Sequence, residues 1–558
     1  MVNKFLRILH TEIRGLHQAA YLLAGFAFLS QVLALIRDRL LAAAFGAGST
    51  LDVYYAAFRI PDFIFITVGS MVSISVLIPF LMDKIKAGQE DGKKFISNIF
   101  SFFFLLIVVS AIIGFFLTPF LSRLLFPGFT ADKMNQVISL TRILLLSPIF
   151  LGLSNIFGTL TQAYRRFFLY ALSPILYNLG IIAGVLFLYP MFGLTGLAYG
   201  VIIGAAMHFA IQIPFVVESK LFPQLQFKFD FKEIRRVLFI SIPRTFTLGS
   251  DSISIIFLLS FASFMTAGSI AVFNFSYNLQ SVPLSIIGVS YSLAAFPALI
   301  KYFSSGEKDK FAEQAIASAQ HIIFWSVPVV VLFVVLRAQI VRTILGSGQF
   351  NWSDTRLTAA ALACFAISLV FQNLTMLFVR AYYAVGKTKK PFIAKFINAT
   401  TTVLFGYLFM LAFLRYPAFK NLLEYLFKVQ GIPGSIILTL PLGWSIGEVI
   451  NSVGLWFVFE KDFKGFSRPV FRTLAQVLAS SLIMGYVAYI CLNIFDDLLN
   501  INTTIGVFMQ GFLSGIIGIG FGILVLMVFR NQELSDIWQS FKGKVWKQPT
   551  VVPDPHVI

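Results

Sequence analysis

Long apolar stretches alternate with short polar connections along most of the chain. A bilayer core of roughly 30 Å needs about 20 apolar residues in helical form, because no water is present there to satisfy the backbone. The pattern therefore predicts an all-α polytopic membrane protein with about fourteen transmembrane helices, near residues 17–36, 62–82, 95–121, 135–162, 168–189, 193–217, 238–264, 269–300, 315–345, 357–384, 391–414, 435–459, 470–494 and 505–529. Pro148, Pro243 and Pro283 are the predicted kink points.

Composition supports this fold class. Apolar residues make up 58% of the 558 residues and charged residues only 12%, which leaves no sequence for an ordinary soluble domain. The net charge of +18 would suggest a nucleic-acid partner in a soluble protein. Here the basic residues lie in short loops beside the spans, so topology and anionic membrane lipids explain them, and no nucleic acid is expected.

Basic residues cluster in every second connection, and the intervening connections hold little net positive charge. By the positive-inside rule, this places both termini of a multi-pass membrane protein in the cytoplasm. The clusters are Lys84/Lys86/Lys93/Lys94, Arg165/Arg166, Lys228/Lys232/Arg235/Arg236, Lys301/Lys308/Lys310, Lys387/Lys389/Lys390 and Lys461/Lys464/Arg468.

A faint internal repeat relates the two halves. Leu125–Phe129 resembles Leu345–Phe350, and Gln162–Arg165 resembles Arg380–Tyr383, at a shift of about 220 residues and six spans. An even shift predicts two parallel six-helix lobes around a central site, although chance similarity between apolar segments stays open. The expected divisions are an N-terminal lobe (1–220), a C-terminal lobe (221–430) completed by the twelfth span (431–465), two extra helices (466–530) and a cytoplasmic tail (531–558).

Ionisable side chains at membrane depth are costly, so each is a functional candidate. Single residues are ambiguous, since an arginine near a span end also reaches the interface or pairs with a nearby Asp. Glu448 is either a proton or cation site or the partner of a buried Arg, and Asp251 is a second candidate for cation coupling. The other candidates are Arg37, Asp38, Asp52, Arg59, Arg142 and Arg244.

Enzyme signatures are missing from the sequence. The five His residues have no metal-type spacing, no P-loop sequence occurs, and no Ser or Cys nucleophile has a base nearby in the chain. Cys364 and Cys491 lie inside apolar segments, as small core residues do. We therefore expect neither an enzyme nor a cofactor nor a metal site.

One motif carries a family resemblance. Arg37-Asp38, Phe45-Gly46-Ala47-Gly48, Asp52, Tyr54-Tyr55, Ala57-Phe58-Arg59 and Pro61 resemble the signature that joins the first two helices of the MurJ/MviN family. Two further stretches resemble the same family: Gln162–Phe167 with Pro174–Asn178, and Arg380–Ala384 with Lys390-Pro391. The resemblance covers nearly the whole chain.

The resemblance implies a lipid II flippase of the multidrug/oligosaccharidyl-lipid/polysaccharide exporter superfamily. It implies a central cavity where Arg37 and Arg59, with Asp38 and Asp52 as the matching acids, bind the diphosphate of the lipid. It also implies a groove for the polyprenyl tail on the two extra helices, and alternating access without ATP. The chain departs from the family at Gln31 and Asn278, which stand where arginines are usual. Arg142 and Arg244 are candidate replacements.

These departures leave several functions open. The first is a lipid II flippase that works as a monomer among membrane lipids. A related exporter of another undecaprenyl-diphosphate-linked saccharide is the second, and the lost arginines favour it somewhat. A cation-coupled drug antiporter of the same superfamily and a membrane scaffold without transport are the others.

Overall fold

The described chain is built of helices joined by short connections. A computed structural model describes residues 16–71 and 74–541, without the side chains at 16–21, 70, 74–76, 240, 242–244, 246–248 and 539–541. No β-strand occurs in these two ranges. The predicted cytoplasmic tail, 531–558, lies outside the described residues from position 542 onward.

The helices have the following bounds. The first half contains α1 Leu16–Phe45, α2 Ser49–Ala57, α3 Arg59–Thr67, α4 Ile74–Ala87, α5 Gln89–Leu125, α6 Ala131–Leu144, α7 Leu146–Ala163, α8 Phe167–Ala183, α9 Tyr189–Phe192, α10 Leu194–Ala210, α11 Ile213–Glu218 and α12 Phe231–Ala262. The second half contains α13 Ser269–Pro283, α14 Ser290–Ser304, α15 Lys308–Val335, α16 Arg337–Leu345, α17 Trp352–Ala366, α18 Leu369–Ala384, α19 Lys389–Arg415, α20 Pro417–Phe427, α21 Thr439–Asp462, α22 Ser467–Leu498, α23 Thr504–Val528 and α24 Gln532–Phe541.

Many of these helices are long and apolar enough to cross a membrane. Ten uninterrupted or gently bent stretches qualify within the described ranges, and eleven if α17 and α18, which meet at 43°, form one span. Large apolar side chains such as Phe116 and Phe187 are exposed on their outer faces, as expected where lipid is the solvent. The predicted all-α membrane fold is confirmed, and the number fourteen stays a prediction.

The chain divides into two compact units, one ending at Ala271 and the other beginning at Val272. Within the first unit, α12 packs against α3, α4 and α5. Phe157 and Leu77 belong to an apolar core there, and Phe378 and Phe459 to another in the second unit. The finer lobe boundaries expected from the sequence stay predictions.

The second span of the first unit is broken. A short 3₁₀ turn, Gly69–Met71, separates α3 from α4, where the sequence predicted one continuous helix. Gly152 of α7 packs so closely that a Cβ on Gly69 would lie 3.6 Å from its Cα. The Nδ2 of Asn155 donates to the carbonyl of Gly69 at 3.3 Å. A side chain of the fourth span thus forms a hydrogen bond with the backbone at this turn.

An irregular turn of a different kind occurs at the matching place in the second unit. The π-helical turn Leu284–Val289 follows Pro283, a predicted kink point. The Nη1 of Arg380 in α18 donates to the carbonyl of Val289 at 2.9 Å and to Ser292 Oγ at 2.5 Å. Gly69 and Val289 are 220 positions apart, which is the offset of the sequence repeat. Each unit therefore has an irregular turn at the matching place of its corresponding helix, and a polar side chain of another helix bonds to the backbone there.

The other two predicted kink points behave differently. Pro148 lies in the first turn of α7, just after the interruption at Leu145 that separates α6 from α7. Proline suits this position because its missing N–H is not needed in a first turn. Pro243 lies inside α12, which continues through it to Ala262.

Contacts between connections agree with the predicted alternation of sides. On the predicted cytoplasmic side, Lys84 donates to Glu233, a bond that raises the pKa of Lys84, and Lys390 donates to Asp462. On the opposite side, the Gly128 N–H donates to Ser263 Oγ at 3.2 Å. Each of these bonds joins two connections that the sequence assigns to the same side. Which side faces the cytoplasm stays a prediction from charge.

Candidate substrate-binding site

Arg37 lies near the end of α1 in the first unit. Its Nε and Nη2 donate to the same Asp38 oxygen at 3.0 and 2.8 Å. The Asp38 side chain is 4% exposed, whereas the Arg37 side chain is 20% exposed. A buried carboxylate thus fixes the guanidinium from one side, while part of its donor edge stays accessible.

Asn178 of α8 fixes the same guanidinium from a second direction. The Arg37 Nη1 donates to Asn178 Oδ1 at 3.2 Å, and Asn178 Nδ2 donates back to Ser30 Oγ on α1 at 3.3 Å. The two helices pack together, so the Asn side chain bridges two points of α1. Arg37 is therefore held in place before any ligand arrives.

Arg59 begins α3, one residue after the interruption at Phe58. Its Nε donates to the Tyr55 carbonyl at 3.2 Å, and its Nη1 lies 4.0 Å from Asp62 Oδ2. Arg37 and Arg59 both interact electrostatically with the Tyr55 hydroxyl. The structure therefore brings Arg37, Asp38 and Arg59 into one cluster, which we call the Arg37–Arg59 cluster and which also contains Tyr55 and Asp62.

Asp52, in the same unit, binds backbone N–H groups at the start of α13. Its two oxygens accept from the backbone N–H groups of Gly268, at 2.6 Å, and Ala271, at 3.0 Å. A carboxylate at a helix start satisfies N–H groups that have no partner within the helix and complements its positive end. Both oxygens of Asp52 thus serve the start of α13, and we assign it a structural role.

The two candidate replacement arginines differ in what the structure describes. Arg142 of α6 donates from Nε to the Phe115 carbonyl at 3.4 Å, and its guanidinium lies 4.7 Å from the centre of the Phe115 ring. It thus packs against α5, and among the described residues it forms no hydrogen bond or ion pair with a side chain of the Arg37–Arg59 cluster. The side chain of Arg244 lies outside the described part of the structure.

The two polar substitutions lie in different units. Gln31 is half-buried on α1, directly after the Ser30 that contacts Asn178. Asn278 is half-buried on α13 in the second unit, where its carbonyl accepts from Ser281 Oγ at 2.7 Å. Their roles in binding stay predictions.

The two candidates for cation coupling also lie in different units. Asp251 is half-buried on α12 of the first unit. Glu448 is buried on α21 of the second, where its Oε1 accepts from Asn398 Nδ2 at 2.8 Å. The Lys395 Nζ lies 3.9 Å from the same oxygen. The partner of Glu448 is therefore a lysine on α19, a residue that the sequence analysis did not single out.

Other cations were missed because they lie inside predicted spans but close to span ends. Arg337 follows the break between α15 and α16, and its Nη1 donates to the Val334 carbonyl at 2.6 Å. Lys395 follows a basic loop and is easily counted as part of it. A count of every charge inside each predicted span would have found both.

An apolar groove of about 750 Å³ lies beside the two extra helices of the second unit. Its walls come from α15, α22, α23 and α24, and most of its surface is hydrocarbon, including Pro328, Leu332, Met484 and Ile523. Arg530 and Asn531 lie at the end near α24. A long hydrocarbon chain fits such a lining better than a polar solute does. No cluster of three or more His, Cys, Asp or Glu suited to a metal occurs among the described residues.

Comparison with known proteins decides the family. The family described as "Lipid II flippase MurJ" matches residues 41–509 of the chain. The protein belongs to this family. The probable lipid II flippase MurJ of Rhizobium tropici is 24% identical over 514 residues, which cover 90% of this chain and 91% of the relative. The lipid II flippase MurJ of Burkholderia cenocepacia is 23% identical over 494 residues, covering 86% and 91%.

Solved structures agree with this assignment. A lipid II flippase MurJ in an inward closed conformation superposes with a TM-score of 0.73 at 25% identity, covering 93% of this chain and 99% of that one. An inward-facing multidrug transporter of the MATE family in the MOP superfamily gives a TM-score of 0.65 at 15% identity, covering 78% and 96%. The latter likeness concerns the fold. The MurJ family is one of transporters rather than catalytic enzymes.

Proposed function

We propose that this protein is a lipid II flippase of the bacterial inner membrane, and that the Arg37–Arg59 cluster binds the diphosphate of its substrate. The headgroup of the lipid-linked peptidoglycan precursor would move from the cytoplasmic to the outer leaflet by alternating access. Family membership over most of the chain supports the transport class. The observation that carries the site is the placement of Arg37 and Arg59 around Tyr55.

The geometry of Arg37 suits a phosphate ligand. Three of its N–H directions are used by Asp38 and Asn178, and the side chain remains partly exposed. A guanidinium has five N–H donors in a planar fork that matches phosphate oxygens. A diphosphate can therefore add bonds to Arg37 without breaking the bonds that hold it.

The charge balance of the cluster sets its affinity. Arg37 and Arg59 face two acids, Asp38 and Asp62, so the formal charges cancel before ligand binds. Asp62 is 47% exposed and lies 4.0 Å from Arg59, a loose pair that a diphosphate can displace at small cost. Such a site holds the headgroup weakly enough to release it, as transport requires.

The apolar groove provides a place for the polyprenyl tail. It lies along α22 and α23, the helices that the sequence places outside the internal repeat. We propose that the tail stays in this groove, within hydrocarbon, while the headgroup crosses.

The proposed orientation has both termini in the cytoplasm, as the alternation of basic connections predicts. Movement of a diphosphate outward gains from the membrane potential, at about 2.3 kcal/mol per charge per 100 mV.

A host whose own lipid II flippase can be depleted tests the proposal. Expression of this chain should restore growth, and the purified protein in liposomes should expose lipid II on the opposite leaflet. The Arg37→Ala variant should lose both activities, while Arg123→Ala, an exposed arginine at the end of α5, should keep both. Full activity of Arg37→Ala in liposomes would remove the cluster from the mechanism.

Gln31 and Asn278 favour a second candidate, a flippase for another undecaprenyl-diphosphate-linked saccharide. Their amides cannot supply the charge that arginines would. Liposome assays with lipid II and with a neutral-headgroup polyprenyl-diphosphate saccharide separate the two. Glu448 does not support the antiporter hypothesis as a site for a coupling cation, because the Lys395 ammonium already lies beside that carboxylate.

A further inference from the structure

A second cavity lies within the second unit and is not the apolar groove described above. It has a volume of about 740 Å³ and is enclosed by α15, α16, α17 and α22, with contributions from α20 and α23. This volume lies within the range of about 300–1,000 Å³ found for small-ligand pockets. Its walls differ from those of the groove, because several charged side chains lie among the apolar ones.

Three cations line this cavity: Arg337, Arg356 and Lys428. The single carboxylate in the lining is Asp496, and it accepts from Gln510 Nε2 at 3.1 Å. Gln510 in turn accepts from Gln339 Nε2 at 3.2 Å. The polar part of the cavity is therefore a net positive surface, with its one acid tied into a chain of amides.

The cations are positioned by the backbone rather than by acids. Arg337 donates to the Val334 carbonyl at the helix break, and it forms no ion pair within the described residues. Arg356 donates from Nε to the Lys428 carbonyl at 3.1 Å, with Nη2 bonded to the same oxygen. Within the described part of the chain, neither guanidinium forms an ion pair.

Lys428 is held in an uncommon conformation. Its φ of 57° is left-handed, a region that costs an ordinary residue energy and that glycine adopts freely. Lys428 ends α20 in this conformation, which is common at helix ends, and its own N–H donates to the Glu424 carbonyl. Arg356 donates to the Lys428 carbonyl, and the Lys428 ammonium lies 5.7 Å from the centre of the Tyr489 ring.

The remaining wall is hydrocarbon with an aromatic edge. Val330, Val331, Val334 and Leu482 face the cavity together with Tyr486 and Tyr489. Tyr486 is 66% exposed and Tyr489 45%, so the cavity opens on the outer face of α22. Tyrosines exposed on a membrane helix are typical of the level of the lipid headgroups.

We propose that this cavity binds a bilayer phospholipid, whose phosphate lies among Arg337, Arg356 and Lys428 and whose chains lie along the valine wall. The three cations complement an anionic phosphate, and the opening at Tyr486 faces the phase in which phospholipids are abundant. Under the proposed orientation this is the outer leaflet. The site is separate from the Arg37–Arg59 cluster, which belongs to the first unit.

Thermal unfolding of the purified full-length protein in a neutral detergent tests this site. Dioctanoyl phosphatidylglycerol should raise the unfolding midpoint in a concentration-dependent way, while dioctanoylglycerol, which lacks the phosphate, should not. Inorganic pyrophosphate and farnesyl diphosphate are the two other probes. Weaker binding of both than of the phospholipid is expected, because neither fills the phosphate and two-chain regions together.

The variants Lys428→Gly and Arg337→Gln should each lower phospholipid affinity about tenfold, since each removes a charge-assisted contact. Glycine suits the left-handed backbone at position 428, so Lys428→Gly should keep the fold. If Arg337→Gln is unstable, the phospholipid affinity of Lys428→Gly is sufficient to test the site. Lys420→Gln is the matched control, because Lys420 lies on α20 near Glu424 and does not line the cavity.

Unchanged affinity in Lys428→Gly, or equal stabilisation by dioctanoylglycerol, would overturn the site. Tighter binding of farnesyl diphosphate than of the phospholipid would overturn the proposed occupant, and it would point to the transported lipid instead. The binding assay does not depend on flipping, so failure of the proposed transport function would leave its result unaffected.

Discussion

The guanidinium of Arg37 donates from Nη1 to the amide oxygen of Asn178 at 3.2 Å, across 141 positions of sequence. The same amide donates from Nδ2 to Ser30 Oγ. Asn178 therefore sets the direction of an arginine that we assign to the diphosphate. It acts through Arg37 and is a positioning residue.

Replacement of Asn178 should separate positioning from charge. Asn178→Leu keeps the size of the side chain and removes its bonds to Arg37, to Ser30 and to the Pro174 carbonyl. We therefore expect flipping in liposomes to fall about tenfold while Arg37 keeps its charge. Asn178→Asp should lower it less, because a carboxylate still accepts from Arg37. Equal activity of Asn178→Leu and the unmodified protein would show that Asp38 alone positions the guanidinium.

Substitution of lysine for arginine tests the bidentate geometry. Arg59→Lys retains the positive charge but loses the planar fork, so we expect partial rescue of growth, whereas Arg59→Ala should give none. Quantitative growth of the depleted host at graded expression levels measures the difference. Identical growth of the two variants would indicate that charge has no part in the role of Arg59.

The Glu448–Lys395 pair predicts non-additive stability. Lys395→Ala leaves a buried carboxylate without its cation, and we expect it to cost about 3 kcal/mol of unfolding free energy. Glu448→Gln combined with Lys395→Ala should cost less than Lys395→Ala alone, because the neutral amide needs no counter-charge. Unfolding midpoints of Glu448→Gln, Lys395→Ala and the double variant in one detergent provide the measurement. Additive losses would mean that the two groups do not interact.

Gly268 should tolerate no side chain. Its φ of +91° is left-handed, and a Cβ there would lie 1.8 Å from the Ala47 carbonyl oxygen. Gly268→Ala should therefore displace the backbone N–H that donates to Asp52, and it should lower the unfolding midpoint strongly. Gly306 is the matched control: its φ is +75° with no atom within 4 Å of a Cβ, so Gly306→Ala should cost only about 1 kcal/mol. Similar losses at both positions would contradict the clash.

Filling the apolar groove should block tail binding. Ile523 lines the groove, whereas Leu524, its neighbour on α23, does not. We expect Ile523→Trp to reduce flipping in liposomes and Leu524→Trp, which points to a different face, to leave it nearly unchanged. Both variants retain an apolar surface, so membrane insertion should be equal. A full rate for Ile523→Trp would place the tail elsewhere.

Local pattern was enough to predict the helices but not their breaks. Apolar length and the backbone's need for hydrogen bonds dictate an all-α membrane fold, and Pro283 indicated a bend in one helix. The turn at Gly69–Met71 has no proline within it. Two residues of another helix stabilise it: Asn155 donates to the Gly69 carbonyl, and Gly152 leaves room for Gly69. Such tertiary contacts leave no signal in the local sequence.

The candidate site shows the same limit. Motif residues indicated Arg37 and Arg59, and the charge of Asp38 suggested its pairing with Arg37. Asp52 belongs to the same motif, yet its role at the start of α13 depends on Gly268, which is 216 positions away. Residue type and spacing therefore identified which side chains are costly to bury. Only the packed structure assigns each one its partner.

Lys395 is part of the chain itself, and its ammonium lies beside the buried Glu448 carboxylate. A tethered ammonium cannot be exchanged with the medium or lost on dilution. The charge opposite Glu448 is thus supplied by the sequence and does not depend on which ions the medium contains.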